Sequence, residues 1–257
     1  MHLNPQYQTT KPLEARKGLY AYASLPSLQD KLVEKLEAYA GMSVLDVGCG
    51  YGDRLADLVQ RIPGIHAKGF DVSEAMIQAG KDRQINLKLE VCDLTTFEPT
   101  TPFDRIYSAH VLHLHPDPIA ACQRMLSWLT PGGRLVLVVH SELDQPRKTA
   151  WDAWLTNQTG SVHESVKRSL TFEHDAGLAA TFEAEPTLFT QTITLQTPDP
   201  YITALESHRN RWSPALNEPT WESYMTHAKR EMNADIERHG TFVETTTVGF
   251  FVINKPL

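Results

Sequence analysis

The stretch VLDVGCGYGD, residues 44–53, constrains this chain more than any other. Four mostly apolar residues run straight into glycines at 48, 50 and 52, and Leu55, Leu58 and Val59 then recur at helical spacing. A buried strand, a Gly-rich turn and a helix in that order open a nucleotide-binding βαβ unit. Glycine suits the turn because the backbone must bend tightly and let a ligand approach closely.

The rest of the first 140 residues repeats the pattern. Residues 1–18 carry no clear periodicity, and 27–39 read as a helix with Leu28, Leu32 and Leu36 on one face. Strands are expected at 66–71, 87–92, 103–109 and 134–140, with helices after Ser73 and from Asp117, and a turn at Pro131-Gly132-Gly133. Strand alternating with helix five times implies a parallel sheet covered on both faces. Beyond Ser141 the pattern loosens into helical pieces over 141–186, a strand at 187–196, a mostly helical 198–240 and a last strand at 241–253. The expected organisation is one domain: an N-terminal helical cap over 1–40, a ligand-binding core over 41–140, the 141–186 segment, a helical lid inserted at 198–240, and the closing strand within 241–257.

Composition excludes several classes. The longest aliphatic run, Leu135–Val139, is far too short to span a membrane, and the polar opening MHLNPQYQTTKPLEARKG lacks a secretory apolar core. Three cysteines without metal-like spacing fit a reducing, cytoplasmic setting. A net charge of −7 argues against a nucleic-acid partner, which demands a basic face.

The glycines also narrow the ligand. A dinucleotide fold wants Gly-x-Gly-x-x-Gly, but the third place is Asp53, and no phosphate-binding Lys or Ser/Thr follows as a Walker loop requires. Asp46 before the loop and Asp71 at the end of the next strand would repel a pyrophosphate. Together they suit a ligand with ribose and positive charge but no phosphate.

At this level the chain resembles the class I S-adenosylmethionine-dependent methyltransferases of the small-molecule branch, motif by motif over roughly residues 40–140. That resemblance implies a Rossmann-like, seven-stranded, mostly parallel sheet with helices on both faces and a helical lid inserted near the C-terminus. It implies S-adenosylmethionine as cofactor and S-adenosylhomocysteine as product. In VLDVGCGYGD, Asp46, Gly48, Cys49, Gly50 and Gly52 would cradle the methionine part. GFDVSEAMIQAG resembles the ribose segment, with Asp71 on the hydroxyls and Val72, Ser73 and Met76 lining the adenine pocket. VCDLTTF places Asp93 toward the adenine amino group, with Cys92 where the family has a small residue and Leu94 against the ring. Ala109 and His110, ending strand 4, complete the cofactor set.

Methyl transfer needs alignment, and oxygen or nitrogen acceptors of high pKa also need a general base. The candidates are His110 and His113 after strand 4 and His140 at the end of strand 5. His110, His113 and His115 do not have a recognised ligand spacing, so no metal is expected. Tyr20, Tyr22, His113, Trp151, Arg209 and Trp212 are the candidates for contacting the acceptor, with Arg209 and Arg211 able to clamp a carboxylate. The expected function is transfer of a methyl group to oxygen or nitrogen of a small organic molecule. The alternatives are a protein that binds the cofactor without methylating, as sensor or catalyst of another reaction, and a macromolecule methyltransferase.

Overall fold

The computed structural model describes residues 9–83, 87–163, 170–175 and 177–257. Its central sheet contains β1 (Ser43–Val47), β2 (His66–Asp71), β3 (Lys88–Val91), β4 (Phe103–Ala109), β5 (Leu129–His140), β7 (Glu185–Leu195) and β9 (Phe242–Asn254). A separate two-stranded ribbon pairs β6 (Val162–His163) with β8 (Trp212–Ser213). The helices are α1 (Lys11–Leu19), α2 (Leu28–Leu36), α3 (Asp53–Arg61), α4 (Glu74–Asp82), α5 (Pro118–Ser127), α6 (Pro146–Thr159), α7 (Leu178–Phe182), α8 (Asp199–Glu206) and α9 (Glu218–His239).

The sheet order is β3-β2-β1-β4-β5-β9-β7. The first five strands pair in parallel, whereas β9 joins β5 and β7 joins β9 antiparallel. The chain reverses direction across the sheet at β1 and β4, and ligands of such folds bind at the carboxyl ends of strands flanking that switch point. β5 shows why the sheet is buried on both sides. Leu135, Leu137 and Val139 pack with Met125 of α5 and Leu178 of α7, while Val136 and Val138 pack with Leu32, Leu36, Leu55 and Ile77 from α2, α3 and α4. A third cluster joins Leu19, Trp151, Tyr201, Trp221, Tyr224 and Phe242, binding α1, α6, α8 and α9 to the far ends of β7 and β9.

Three local expectations need correction. α1 forms over residues for which no pattern was legible: KPLEARKGL is largely polar, and its one fully buried side chain is Leu19. No helix separates β3 from β4, so the alternation is broken once. Instead Phe97, from that connection, stacks on Phe70 at 4.4 Å and fills the space a helix would cover. Pro131-Gly132-Gly133 lies inside β5, where the partner of Phe103 is Leu129 and that of Arg105 is already Arg134. The turn residues are therefore accommodated as a bulge.

Candidate active site

β1 ends on Asp46 and Val47, and the chain then turns through glycines with φ of +76° at Gly48 and +57° at Gly50. At Gly48 a Cβ would stand 2.3 Å from a methyl of Val111, so neither the backbone angle nor the space admits a side chain. The loop is tied to β2: the N–H groups of Gly48 and Cys49 donate to the Phe70 carbonyl, and that of Gly50 donates to Asp71 Oδ2 at 2.9 Å. Asp71 Oδ1 accepts from the Ser73 N–H at 2.9 Å, and burial raises its pKa. Asp93, after β3, accepts at Oδ1 from both the N–H and the hydroxyl of Thr95, which hold its pKa low.

These strand ends enclose a cleft of about 220 Å³. Asp46, Gly48, Cys49, Gly50, Asp71, Val72, Met76, Cys92, Asp93, Leu94, Ala109 and His110 all line it. Gly52 and Ser73 do not. Gly52 is the N-cap of α3 and backs onto Leu89, and the Ser73 hydroxyl is consumed capping α4 through the Met76 N–H. Asp46 is 2 % exposed, accepts from the Tyr107 hydroxyl at 2.8 Å, and is pushed up to about 7, chiefly by burial. The cleft gathers Asp46, Asp71 and Asp93 from neighbouring strand ends, alongside Lys17 and Arg54, and three acids there fit a cationic nucleoside without phosphate. The residues present thus fit S-adenosylmethionine. α1 covers this cleft with Leu13 and Lys17, the latter paired with Asp53 at 2.6 Å and seated 4.3 Å over the Tyr51 ring.

A second cavity of about 870 Å³ adjoins the first, sharing Leu13, Lys17, Asp53, Arg54 and His110 with it. His110 adopts φ +59°, a left-handed conformation that histidine visits more readily than most residues. Its ring lies 4.5 Å from that of His140, which in turn meets His113 edge-on at 4.8 Å. All three line the larger cavity, as does Tyr20.

The remaining acceptor-contact candidates lie elsewhere. Trp151 is packed against Tyr201 and Phe242, Trp212 is buried against His163 and Tyr224, and neither lines either cavity. Arg209 pairs with Glu218 on the surface, and Tyr22 is half-exposed outside both walls. The sequence reading missed Arg16, Lys148, His163 and His208, which line the larger cavity. They belong to four separate segments and share no motif; only the clustering of basic and imidazole side chains outside the core motifs could have pointed to them.

A model described as a methyltransferase domain matches residues 20–178, more than half of the chain. Phosphoethanolamine N-methyltransferase 1 of Arabidopsis thaliana is 28% identical over 171 residues, covering 63% of this chain and 34% of that protein. Trans-aconitate 2-methyltransferase of Methylobacterium radiotolerans is 30% identical over 116 residues, 45% of each. The matched stretch thus spans between a third and a half of those relatives' own length. Among solved structures, phosphoethanolamine N-methyltransferase 2 of Haemonchus contortus, in complex with phosphomonomethylethanolamine and S-adenosylhomocysteine, superposes with a TM-score of 0.58 at 17% identity, over 98% of this chain and 58% of that one. The cyclopropane synthase MmaA2 of Mycobacterium tuberculosis shares the fold at a TM-score of 0.56 and 18% identity, over 99% and 100%. With the family model covering most of the glycine loop's surroundings and the strand ends that build the cleft, the chain belongs to the class I S-adenosylmethionine-dependent methyltransferases.

Proposed function

We propose that this protein transfers the methyl group of S-adenosylmethionine to an oxygen or nitrogen of a small organic molecule. One observation carries the reading: a cleft suited to the donor adjoins a larger cavity lined by polar and aromatic side chains, with His110 among the residues that border both. The donor supplies a methyl group already activated on a positively charged sulfur. Asp71 holds the ribose hydroxyls, Asp93 faces the adenine amino group beside Leu94, and Asp46 meets the positive charge of the methionine part. Val72 and Met76 line the adenine pocket.

His110, which borders both chambers, is the general base; His140 packs against it and His113 in turn packs edge-on against His140. A neutral imidazole there takes the proton from the acceptor as the nucleophile forms its new bond, and alignment with exclusion of water provides the remainder of the catalysis. Tyr20 closes the acceptor side. Residues 1–40 act as a cap, through α1, and 198–240 as a lid, through α8 and α9. A cavity of about 870 Å³ suits a small molecule over nucleic acid, and three free thiols suit a reducing, cytoplasmic setting. Among the described residues no helix is long and apolar enough to cross a membrane.

Labelled S-adenosylmethionine incubated with the protein and a metabolite extract should yield S-adenosylhomocysteine and a labelled small molecule. Label found only on protein or RNA would overturn the reading. Tight donor binding with no S-adenosylhomocysteine formed across acceptor panels would instead assign a reaction without methyl transfer.

A further inference from the structure

Helix α1 lies over the donor cleft, to whose wall it gives Leu13 and Lys17. Leu13 leans on the glycine loop itself, since a Cβ at Gly50 would stand 3.7 Å from one of its methyls. Apolar burial does little to hold this part of the helix down. Leu19, at the C-terminal end, is the one buried side chain of α1, and it anchors that end in the third apolar cluster.

Charge ties it down instead. Glu14 and Lys17 are three residues apart and so share a face of the helix. Lys17 Nζ donates to both oxygens of Asp53, at 2.6 and 2.7 Å, while Glu14 accepts from the guanidinium of Arg83, the C-cap of α4. Both cations also lie over the ring of Tyr51, Lys17 Nζ at 4.3 Å and Arg83 Cζ at 4.0 Å from its centroid. Tyr51 is buried, and with Asp53 it flanks Gly52 in the donor loop. The helix thus contributes one cation and one anion, and the core contributes their two partners and a ring that both cations touch. All four charged side chains keep partial contact with water. Exposed ion pairs and exposed cation–π contacts are individually weak. Together they bias α1 toward the closed position, yet they part readily.

We infer that Glu14, Lys17, Tyr51, Asp53 and Arg83 form an electrostatic clasp that holds α1 over the occupied donor cleft and parts each time the donor enters and S-adenosylhomocysteine leaves. The inference rests on the reading of α1 as the cap of the donor site, and it adds what fastens the cap and what the fastening controls, the residence time of the nucleoside. A lid of this kind must open once per turnover, and a weak clasp lets it. Glu14, Tyr51 and Arg83 line neither cavity, so they act on the ligand through the position of α1 and not by touching it.

The test loads the full-length protein with labelled S-adenosylhomocysteine, a zwitterion without net charge, and follows its release into an unlabelled excess. Glu14→Gln and Arg83→Gln should each speed release about two- to fivefold, the effect of losing one exposed pair, with Tm close to that of the wild type. The single reversals Glu14→Arg and Arg83→Glu should do the same, and the double reversal should return the rate toward the wild-type value. Higher ionic strength should accelerate release from the wild type, because salt screens the pairs. Amide hydrogen exchange over residues 11–19 should slow when the nucleoside binds, and should slow less in the single variants. That readout separates a loosened helix from a damaged donor loop. Release at the wild-type rate from the single variants, or a double reversal no slower than the singles, would overturn the inference. Failure of the wild type to bind S-adenosylhomocysteine at all would instead refute the donor-cleft reading.

Discussion

Asp46 makes donor binding depend on pH in a way that can be worked out beforehand. Burial pushes its carboxyl up to about 7, the Tyr107 hydroxyl and Arg54 oppose that rise, and Asp53 and Asp71 add to it. In the unfolded chain the same group ionises near its ordinary value of 3.8. The folded state therefore holds a proton that the unfolded chain has lost. The stability it contributes is fully present below pH 3.8 and is lost as pH rises through 7, a total on the order of 4 kcal/mol for about three pKa units. A cationic donor requires the ionised carboxylate. Its affinity should follow the ionised fraction, which falls from about 0.9 at pH 8 to about 0.1 at pH 6, a tenfold weakening or about 1.4 kcal/mol. Calorimetry of S-adenosylmethionine binding over this range, in buffers of different ionisation enthalpy, measures both the affinity and the proton released. Asp46→Asn should bind more weakly and flatten the profile, and Tyr107→Phe should move the midpoint above that of the wild type. A flat wild-type profile would refute the argument. A slope that survives in Asp46→Asn would do so as well, and would transfer the titration to Asp71, which burial also raises.

Three further perturbations test other parts of the structure. Replacing His110 by Asn, which tolerates the same left-handed backbone, should lower kcat by about 10²–10⁴, with much smaller losses for His113→Gln and His140→Gln. Equal losses at all three positions would remove His110 from the role of base. Gly48→Ala places a Cβ against Val111 at φ +76° and should cost about 1–3 kcal/mol together with donor affinity; melting and binding like the wild type would show that the loop relaxes freely. Glu244 on β9 accepts from the N–H groups of Arg147 and Lys148 in the first turn of α6, whose own N-cap, Gln145, makes no side-chain cap. Glu244→Ala should therefore destabilise by about 2 kcal/mol, a fall in Tm of about 4–8 °C for a domain of this size. An unchanged Tm would mean that water caps the helix as well.

What was legible in the sequence was local. The 44–53 loop follows a consecutive apolar run, Asp71 and Asp93 follow short strands readable from their own residues, and parallel pairing brings those ends to one edge of the sheet. That is why most of the expected cofactor residues share one cleft. Gly52 and Ser73 lie within the same motifs, yet helix capping and packing against β3 claim them. α1 escaped notice because a helix stabilised by packing over a cleft needs no strong apolar stripe of its own.

The larger cavity, proposed to hold the acceptor, is a different matter. Trp151 and Trp212 look in the sequence like pocket-lining aromatics, but the third apolar cluster absorbs them. Arg16, Lys148, His163, His208 and Arg211, which line the cavity, come from four short segments with no motif between them. Local sequence determined the fold of the core and the site for the donor, because both depend on neighbours in the chain. Only the tertiary structure decided where the larger cavity lies and which side chains line it, because those depend on long-range packing of α1, α6 and α8 around the far ends of β7 and β9.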